Sequence, residues 1–318
     1  MMFDEPAHAA CARPPDPPAR PSSPTLAARG PDESAADYLG RVRHYVRGSG
    51  RREPAGTGAR LVDEARCRAL LHDASAEFAP WLAQAGTSVE ALVRGTPAQL
   101  AAALNHMQRE ASCLTMSSDT VIDNVLALAH DVLARGVPGD FIEAGAWRGG
   151  VALLMRATFE AWPDACAGRR RRVWVADSFA GLPRPDPASD LADAVMHHLM
   201  ASIDSLRVDR RGVEHAFAAA GLLDEQVLLL EGWFADTLPG APTGPLALAR
   251  LDGDWHESTM TALEALYPRL SPGGHLIVDD YGLPTGCARA VDTFRRTHGI
   301  EAPLRRVDHQ AVYWSKPI

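Results

Sequence analysis

The spacing of apolar residues changes character near Gly136. Before that point they recur one-sidedly, at the period of helices. Val89, Leu92, Val93, Leu100 and Leu104 predict a helix over 88–108, and Leu61, Ala65, Leu70, Leu71 and Phe78 predict another over 60–82. Together they make a helical cap spanning residues 58–112. The stretch from Pro6 to about Gly58 is dominated by Pro, Ala, Arg, Gly and Ser, a composition that does not bury a core. It reads as an arm, residues 1–57, mostly disordered and carrying one short helix over 35–46, where Tyr38, Leu39, Val42, Tyr45 and Val46 share a face. A further helix begins at Asp119 or Thr120, buries Val121, Val125, Leu128 and Val132, and stops at Gly136 ahead of Pro138.

After residue 137 short apolar runs bounded by turn residues alternate with amphipathic stretches of helical length. Strands are expected at Asp140 to Ala144, Val173 to Ala176, Val227 to Leu230, Leu246 to Leu251 and His275 to Val278, with helices over 150–161, 213–221, 257–270 and 285–298. Such alternation requires crossover connections, hence a doubly wound α/β domain with a mostly parallel sheet, here residues 113–318. Leu304 to Val307 and Ala311 to Trp314 are separated only by Asp308, His309 and Gln310, so a hairpin closes the sheet at seven strands, one antiparallel to the rest.

The 318 residues, 46% hydrophobic and 23% charged, have the composition of an ordinary globular chain. No apolar run approaches the ~18 residues that cross a bilayer. The N-terminus carries Asp4 and Glu5 with no apolar segment behind them, so a cytoplasmic protein is expected. A formal charge of −8 argues against nucleic acid and membrane as partners. The 5 cysteines are scattered and form no Cys-x-x-Cys pair, which suggests neither a disulfide framework nor a thiolate zinc site. Lys316 is the single lysine among 32 basic residues, and it lies almost at the end of the chain. That excludes a P-loop and any Schiff-base chemistry that needs a buried amine.

In open α/β sheets ligands bind beyond the carboxyl ends of the strands. The first strand runs into Glu143, Ala144, Gly145, Ala146, Trp147, Arg148, Gly149 and Gly150, an acidic residue followed by glycines that let a ligand approach the next helix. A purely structural turn would read the same way. The second strand ends at Asp177 and Ser178, a carboxylate suited to a ribose diol. The glycines depart from G-x-G-x-x-G, and Glu143 would repel a pyrophosphate while accepting bonds from an ammonium. The pattern therefore favours S-adenosylmethionine over NAD. After the third strand, Gly232, Trp233 and Phe234 offer an aromatic face to adenine, although core packing would also explain the rings.

The fourth strand ends in Asp252, Gly253, Asp254, Trp255 and His256, and the fifth in Asp279, Asp280 and Tyr281. Carboxylates converging on neighbouring strand ends repel one another unless a cation is shared. All-oxygen ligation selects a hard ion such as Mg2+.

Several motifs in one order resemble the macrocin O-methyltransferase family: VPGDFIEAGAWRGG from Val137, ADSFAGLP from Ala176, LDGDWHEST from Leu251, YPRLSPGGHLIVDDY from Tyr267, and the stretch from Cys287 to Ile300. The resemblance covers roughly 113–318. It implies the class I methyltransferase sheet and an S-adenosylmethionine- and magnesium-dependent O-methyltransferase acting on sugar hydroxyls of natural products. By that likeness Asp252, Asp279 and Asp280 hold the metal and Asp254 is the general base, with Asp252 as the alternative. Glu143, Gly145, Trp147, Arg148, Gly149, Asp177, Ser178, Gly232, Trp233 and Phe234 surround the cofactor, and Thr115 and Met116 close over its methionine part. A small-molecule glycoside is the implied partner, and the family's habit of assembling implies a homo-oligomer.

The chain departs from the family at His256, where many members have Tyr, and in its N-terminal third. Ser189 to Arg207, with His197 and His198, reads as either a lid or a solvated helix, and Arg169 to Arg172 as a solvated loop. Three other readings compete: a catechol-type methyltransferase of the same fold, an NAD-dependent oxidoreductase, and a non-catalytic scaffold. The scaffold fits poorly because an unused site has no reason to hold four uncompensated carboxylates.

Overall fold

A computed structural model describes residues 26, 28–48, 62–109, 113–163, 170–200 and 206–318. Seven strands form one sheet: β1 (Asp140–Ala144), β2 (Val173–Asp177), β3 (Val227–Glu231), β4 (Leu246–Leu251), β5 (Leu270–Val278), β6 (Arg305–Arg306) and β7 (Val312–Ser315). Their order is β3-β2-β1-β4-β5-β7-β6. The first five pair in parallel, and β7 is antiparallel to both β5 and β6, as the short final loop requires.

Alternation along the strands assigns side chains to two cores. Phe141, Val173 and Val175 join one core with α1 (Ala35–Val46), α6 (Asp119–Ala134), α7 (Gly150–Ala161) and α9 (Arg210–Ala219). Their neighbours Ile142, Trp174 and Ala176 join the other with α11 (His256–Leu266) and α12 (Cys287–Thr297). Helix α1 is thus part of the α/β domain's core: Tyr38, Val42 and Val46 are fully buried there.

The cap has its own core. Each of its two expected helices is broken in two: α2 (Glu64–Glu77) from α3 (Ala79–Ala85), and α4 (Val89–Val93) from α5 (Pro97–Arg109). The breaks have local causes. Pro80 lies in the first turn of α3, and Arg94 takes a left-handed φ of 53° after α4. Thr96 and Gln99 then form a capping box that starts α5, Gln99 N–H donating to Thr96 Oγ1 at 3.2 Å and Thr96 N–H to Gln99 Oε1 at 2.8 Å.

Strand β5 begins at Leu270, earlier than its apolar run suggests, because a register shift against β4 absorbs Gly273 and Gly274. The basic run before β2 is not simply solvated. Arg171 is buried, its guanidinium donating to the carbonyls of Gly139 and, at 2.7 Å, Val137, so it pins the entry to β1. Gln226 holds the other side, donating to the Arg171 carbonyl at 2.8 Å. Among the described residues no helix is long and apolar enough to cross a membrane.

Candidate active site

The carboxyl ends of β1 to β5 bring most of the expected residues to one edge. The turn after β1 is set by close backbone approach. Gly145 has φ 92°, and a Cβ there would lie 1.7 Å from the Asp252 carbonyl oxygen, so no side chain fits between β1 and β4 at this level. Trp147 follows with a left-handed φ of 48°, and the Arg148 guanidinium sits 4.8 Å from its ring centroid. Gly150 N–H donates to the Leu114 carbonyl at 3.0 Å, which brings buried Thr115 and half-buried Met116 against the start of α7.

Trp147, Phe179 and Asp254 are three of the non-glycine residues with positive φ, and they end the turns after β1, β2 and β4. Strain of this kind collects where a site over-determines the backbone. Asp177 enforces it at two of the turns, its Oδ2 accepting from Trp147 N–H and its Oδ1 from Phe179 N–H, both at 2.8 Å. Burial pushes its pKa up against these bonds. Ser178 completes the β2 turn, donating to the Gly181 carbonyl at 2.7 Å. After β3, Gly232 has φ 135°, Trp233 is 40% exposed, and the Phe234 ring is half-buried beside Gly253.

Glu143, expected to face a cofactor ammonium, is buried within the sheet. Its Oε2 accepts from Ala152 N–H at 2.7 Å and its Oε1 from Arg250 Nη1 at 2.6 Å. Burial works to raise its pKa, and the guanidinium works to lower it. Both oxygens are therefore occupied in anchoring α7 and Arg250.

Arg250, which the sequence reasoning missed, changes the electrostatics of the site. Only 2% of its side chain is exposed, and its Nη2 lies 2.8 Å from Asp252 Oδ2, 2.9 Å from Asp279 Oδ1 and 2.8 Å from Ser117 Oγ. The four carboxylates are thus not uncompensated: a fixed internal cation neutralises part of their charge. A signal was present, because arginine in the otherwise apolar strand LALARL is buried and must find counter-charges.

Asp252 follows β4 with its N–H on the Ala144 carbonyl at 2.8 Å, and Asp279 follows β5 with its N–H on Leu251 at 2.9 Å. Asp254, at φ 57°, donates its N–H to Asp280 Oδ2 at 2.9 Å. One carboxylate oxygen each from Asp252, Asp254 and Asp280 falls within 4.8 Å of the others, whereas Asp279 turns toward Arg250. Burial, with the charges of Asp252 and Asp279, pushes the Asp254 carboxyl up to about 8. Burial and its acidic neighbours raise Asp280 well above the carboxylate range, and burial raises Asp279 to about 6 against the pull of Arg250.

Helix α8 (Leu191–Met200) roofs the β4 and β5 ends and is not a solvated helix, since Ala194, Val195, Leu199 and Met200 enter the cap core. His198 Nδ1 lies 2.7 Å from Glu77 Oε2 of the cap, and His197 meets the buried Trp255 ring edge-on at 6.2 Å between centroids. Sequence reasoning also missed Asp193 of α8, for which a lone acidic residue in a helical run gave no signal.

A sheet in this order, closed by a reversed strand and carrying a glycine turn after β1 with acidic ends on β2, β4 and β5, defines a class I methyltransferase. More narrowly, the chain belongs to the macrocin O-methyltransferase (TylF) family, whose pattern it matches over residues 84–316. It is 49% identical over 193 residues to the 8-demethyl-8-(2,3-dimethoxy-alpha-L-rhamnosyl)-tetracenomycin-C 4'-O-methyltransferase of Streptomyces olivaceus, covering 61% of this chain and 72% of that protein. It is 42% identical over 204 residues to the mycinamicin III 3''-O-methyltransferase of Micromonospora griseorubida, covering 64% and 78% respectively. The structure of the O-methyltransferase NovP superposes with a TM-score of 0.66 at 33% identity, over 90% of this chain and 100% of that one. The protein is an O-methyltransferase.

Proposed function

We propose that the chain methylates a sugar hydroxyl on a glycosylated natural product, with S-adenosylmethionine as donor and Mg2+ as the metal. The convergence of Asp252, Asp254 and Asp280 within 4.8 Å, beside the glycine turn after β1, carries this reading. The donor set fits the ion. Three carboxylate oxygens without sulfur or imidazole suit a hard divalent cation. The related enzymes named for tetracenomycin and mycinamicin support a glycoside acceptor.

Asp252, Asp279 and Asp280 would hold the ion, which when bound lowers the pKa of an acceptor hydroxyl beside the methyl donor's sulfonium. Asp254 then accepts the hydroxyl proton, as its position against Asp280 and its raised proton affinity allow. The Gly145 to Gly150 turn, Thr115, Met116 and the aromatic pair Trp233 and Phe234 orient the donor, and Asp177 holds that turn in place. The cap and α8 exclude water from the β4 and β5 ends. One observation favours a second arrangement, in which Asp254 replaces Asp279 as the third ligand: the oxygens that converge within 4.8 Å come from Asp252, Asp254 and Asp280.

Calorimetric titration with S-adenosylhomocysteine, Mg2+ and then chelator, with NADH as control, tests the assignment. S-adenosylhomocysteine should bind and NADH should not; the reverse revives the oxidoreductase. Methyl transfer to a small catechol, with none to any glycoside, would make the acceptor class wrong. Asp279→Asn should weaken magnesium binding if Asp279 is a ligand, and Asp254→Asn should do so under the second arrangement.

A further inference from the structure

The loops after β4 and β5, which carry the site's carboxylates, meet at one side chain that belongs to neither. Asp193, in the first turn of α8, is 1% exposed. Its Oδ2 accepts from His256 N–H at 2.7 Å and its Oδ1 from Gly286 N–H at 2.6 Å. His256 lies just beyond Asp254 on the β4 loop, and Gly286 ends the loop that leaves Asp280. The junction is tight, for a Cβ at Gly286 would sit 2.5 Å from His256 Cβ and 2.8 Å from Asp193 Oδ2.

The same helix is anchored in the cap. Val195 and Leu199 are fully buried in the cap core, and Trp255, between Asp254 and His256, is buried in that core as well. Trp255 also donates its Nε1–H to the Pro183 carbonyl at 3.1 Å. The two acidic loops are tied directly by Asp254 N–H on Asp280 Oδ2, and Asp193 adds a second tie that reaches them from the cap side.

We propose that Asp193 is a positioning residue that fixes the separation of the Asp252–Asp254 and Asp279–Asp280 loops, and with it the geometry in which their carboxylates hold Mg2+. The inference rests on the magnesium reading above. Mg2+ demands near-octahedral oxygen ligation at about 2.0–2.1 Å, so a loop displacement of a few tenths of an ångström weakens it. Binding of the methyl donor depends on the β1 to β3 ends, which Asp193 does not touch. The two affinities therefore separate.

The test compares wild type, Asp193→Asn and Arg289→Gln by calorimetric titration with magnesium chloride and, separately, with S-adenosylhomocysteine, alongside thermal melts. Asparagine keeps the shape but turns an NH2 group toward one of the two amides. Arg289→Gln removes the neighbouring ion pair with Asp190 of the same junction and leaves both amide bonds on Asp193 intact. Asp193→Asn should raise the magnesium dissociation constant about 10- to 100-fold, with S-adenosylhomocysteine affinity within about 2-fold. Arg289→Gln should lower the melting temperature and leave the magnesium constant where it was. If Asp193→Asn does not fold, Asp193→Glu, which keeps both acceptors one methylene further out, carries the same expectation. A magnesium constant unmoved in the folded Asp193 variant, whatever its melting temperature, overturns the inference while leaving the metal site standing. A wild type that binds no magnesium overturns the metal reading and this inference with it.

Discussion

Replacing Arg250 by methionine keeps much of the side-chain volume and removes the positive charge from the middle of the site. In the native protein this guanidinium lies 2.6 Å from Glu143, 2.8 Å from Asp252 and 2.9 Å from Asp279. Breaking a buried ion pair by removing one partner costs about 3–5 kcal/mol, because the remaining charge is left without compensation. Asp252, with 28% of its side chain exposed, can recover water, but Glu143, at 1%, cannot. The loss should fall within that range and lower the melting temperature by on the order of 10 °C.

The deficit should also depend on pH. Without the guanidinium the folded-state pKa values of Asp279 and of Glu143, which burial already holds at about 8 in the native protein, rise further above their unfolded values near 4. The native Asp279 is already at about 6. A carboxyl whose folded pKa is raised favours folding below its unfolded value and loses that advantage as pH rises through the folded one. The deficit is therefore smallest near pH 4 and grows through pH 6 and beyond. Urea unfolding of both proteins at pH 5 and pH 8 measures it. A deficit under about 1 kcal/mol, or one equal at the two pH values, would refute the role of Arg250 as the internal counter-ion.

Three further outcomes are expected. Asp254→Asn should lower kcat by about 10²–10⁴-fold, the usual contribution of a general base, with S-adenosylhomocysteine affinity preserved in direct titration. Magnesium binding at pH 7 should release protons, because the Asp254 carboxyl at about 8 and the Asp280 carboxyl, raised well above its ordinary range, must both ionise beside the cation; calorimetry in buffers of different ionisation enthalpy reads this, and no release at pH 7 would refute it. Gly145→Ala should destabilise the fold by more than about 4 kcal/mol, since its Cβ would overlap the Asp252 carbonyl at a φ of 92°, and the soluble yield and unfolding midpoint report it.

Much of the fold was legible because periodicity is a local property. Strands β1 and β4 and helices α1 and α7 fall where their apolar spacing puts them, and the short Asp308–Gln310 loop forces the reversed last strand. The errors have local or tertiary causes. The two cap helices break at Pro80 and at the Thr96 to Gln99 capping box, both readable signals that the longer apolar pattern overrode. Arg171 looked solvated because its partners are the carbonyls of Val137 and Gly139, which a linear reading does not place beside it.

For the site, the residues at the strand ends were identifiable because a parallel sheet puts the carboxyl ends of successive strands on one edge, whatever their separation in the chain. The sequence by itself therefore determined the fold class, the edge that carries chemistry and the acidic residues found there. It could not determine which carboxylate faces which partner. That Arg250 reaches Glu143, Asp252 and Asp279, and that Asp193 bridges two loops from a helix anchored in the cap, are consequences of packing between distant elements. Charges and amides buried away from water must be satisfied by whatever the folded chain brings within about 3 Å, and only the tertiary structure decides what that is.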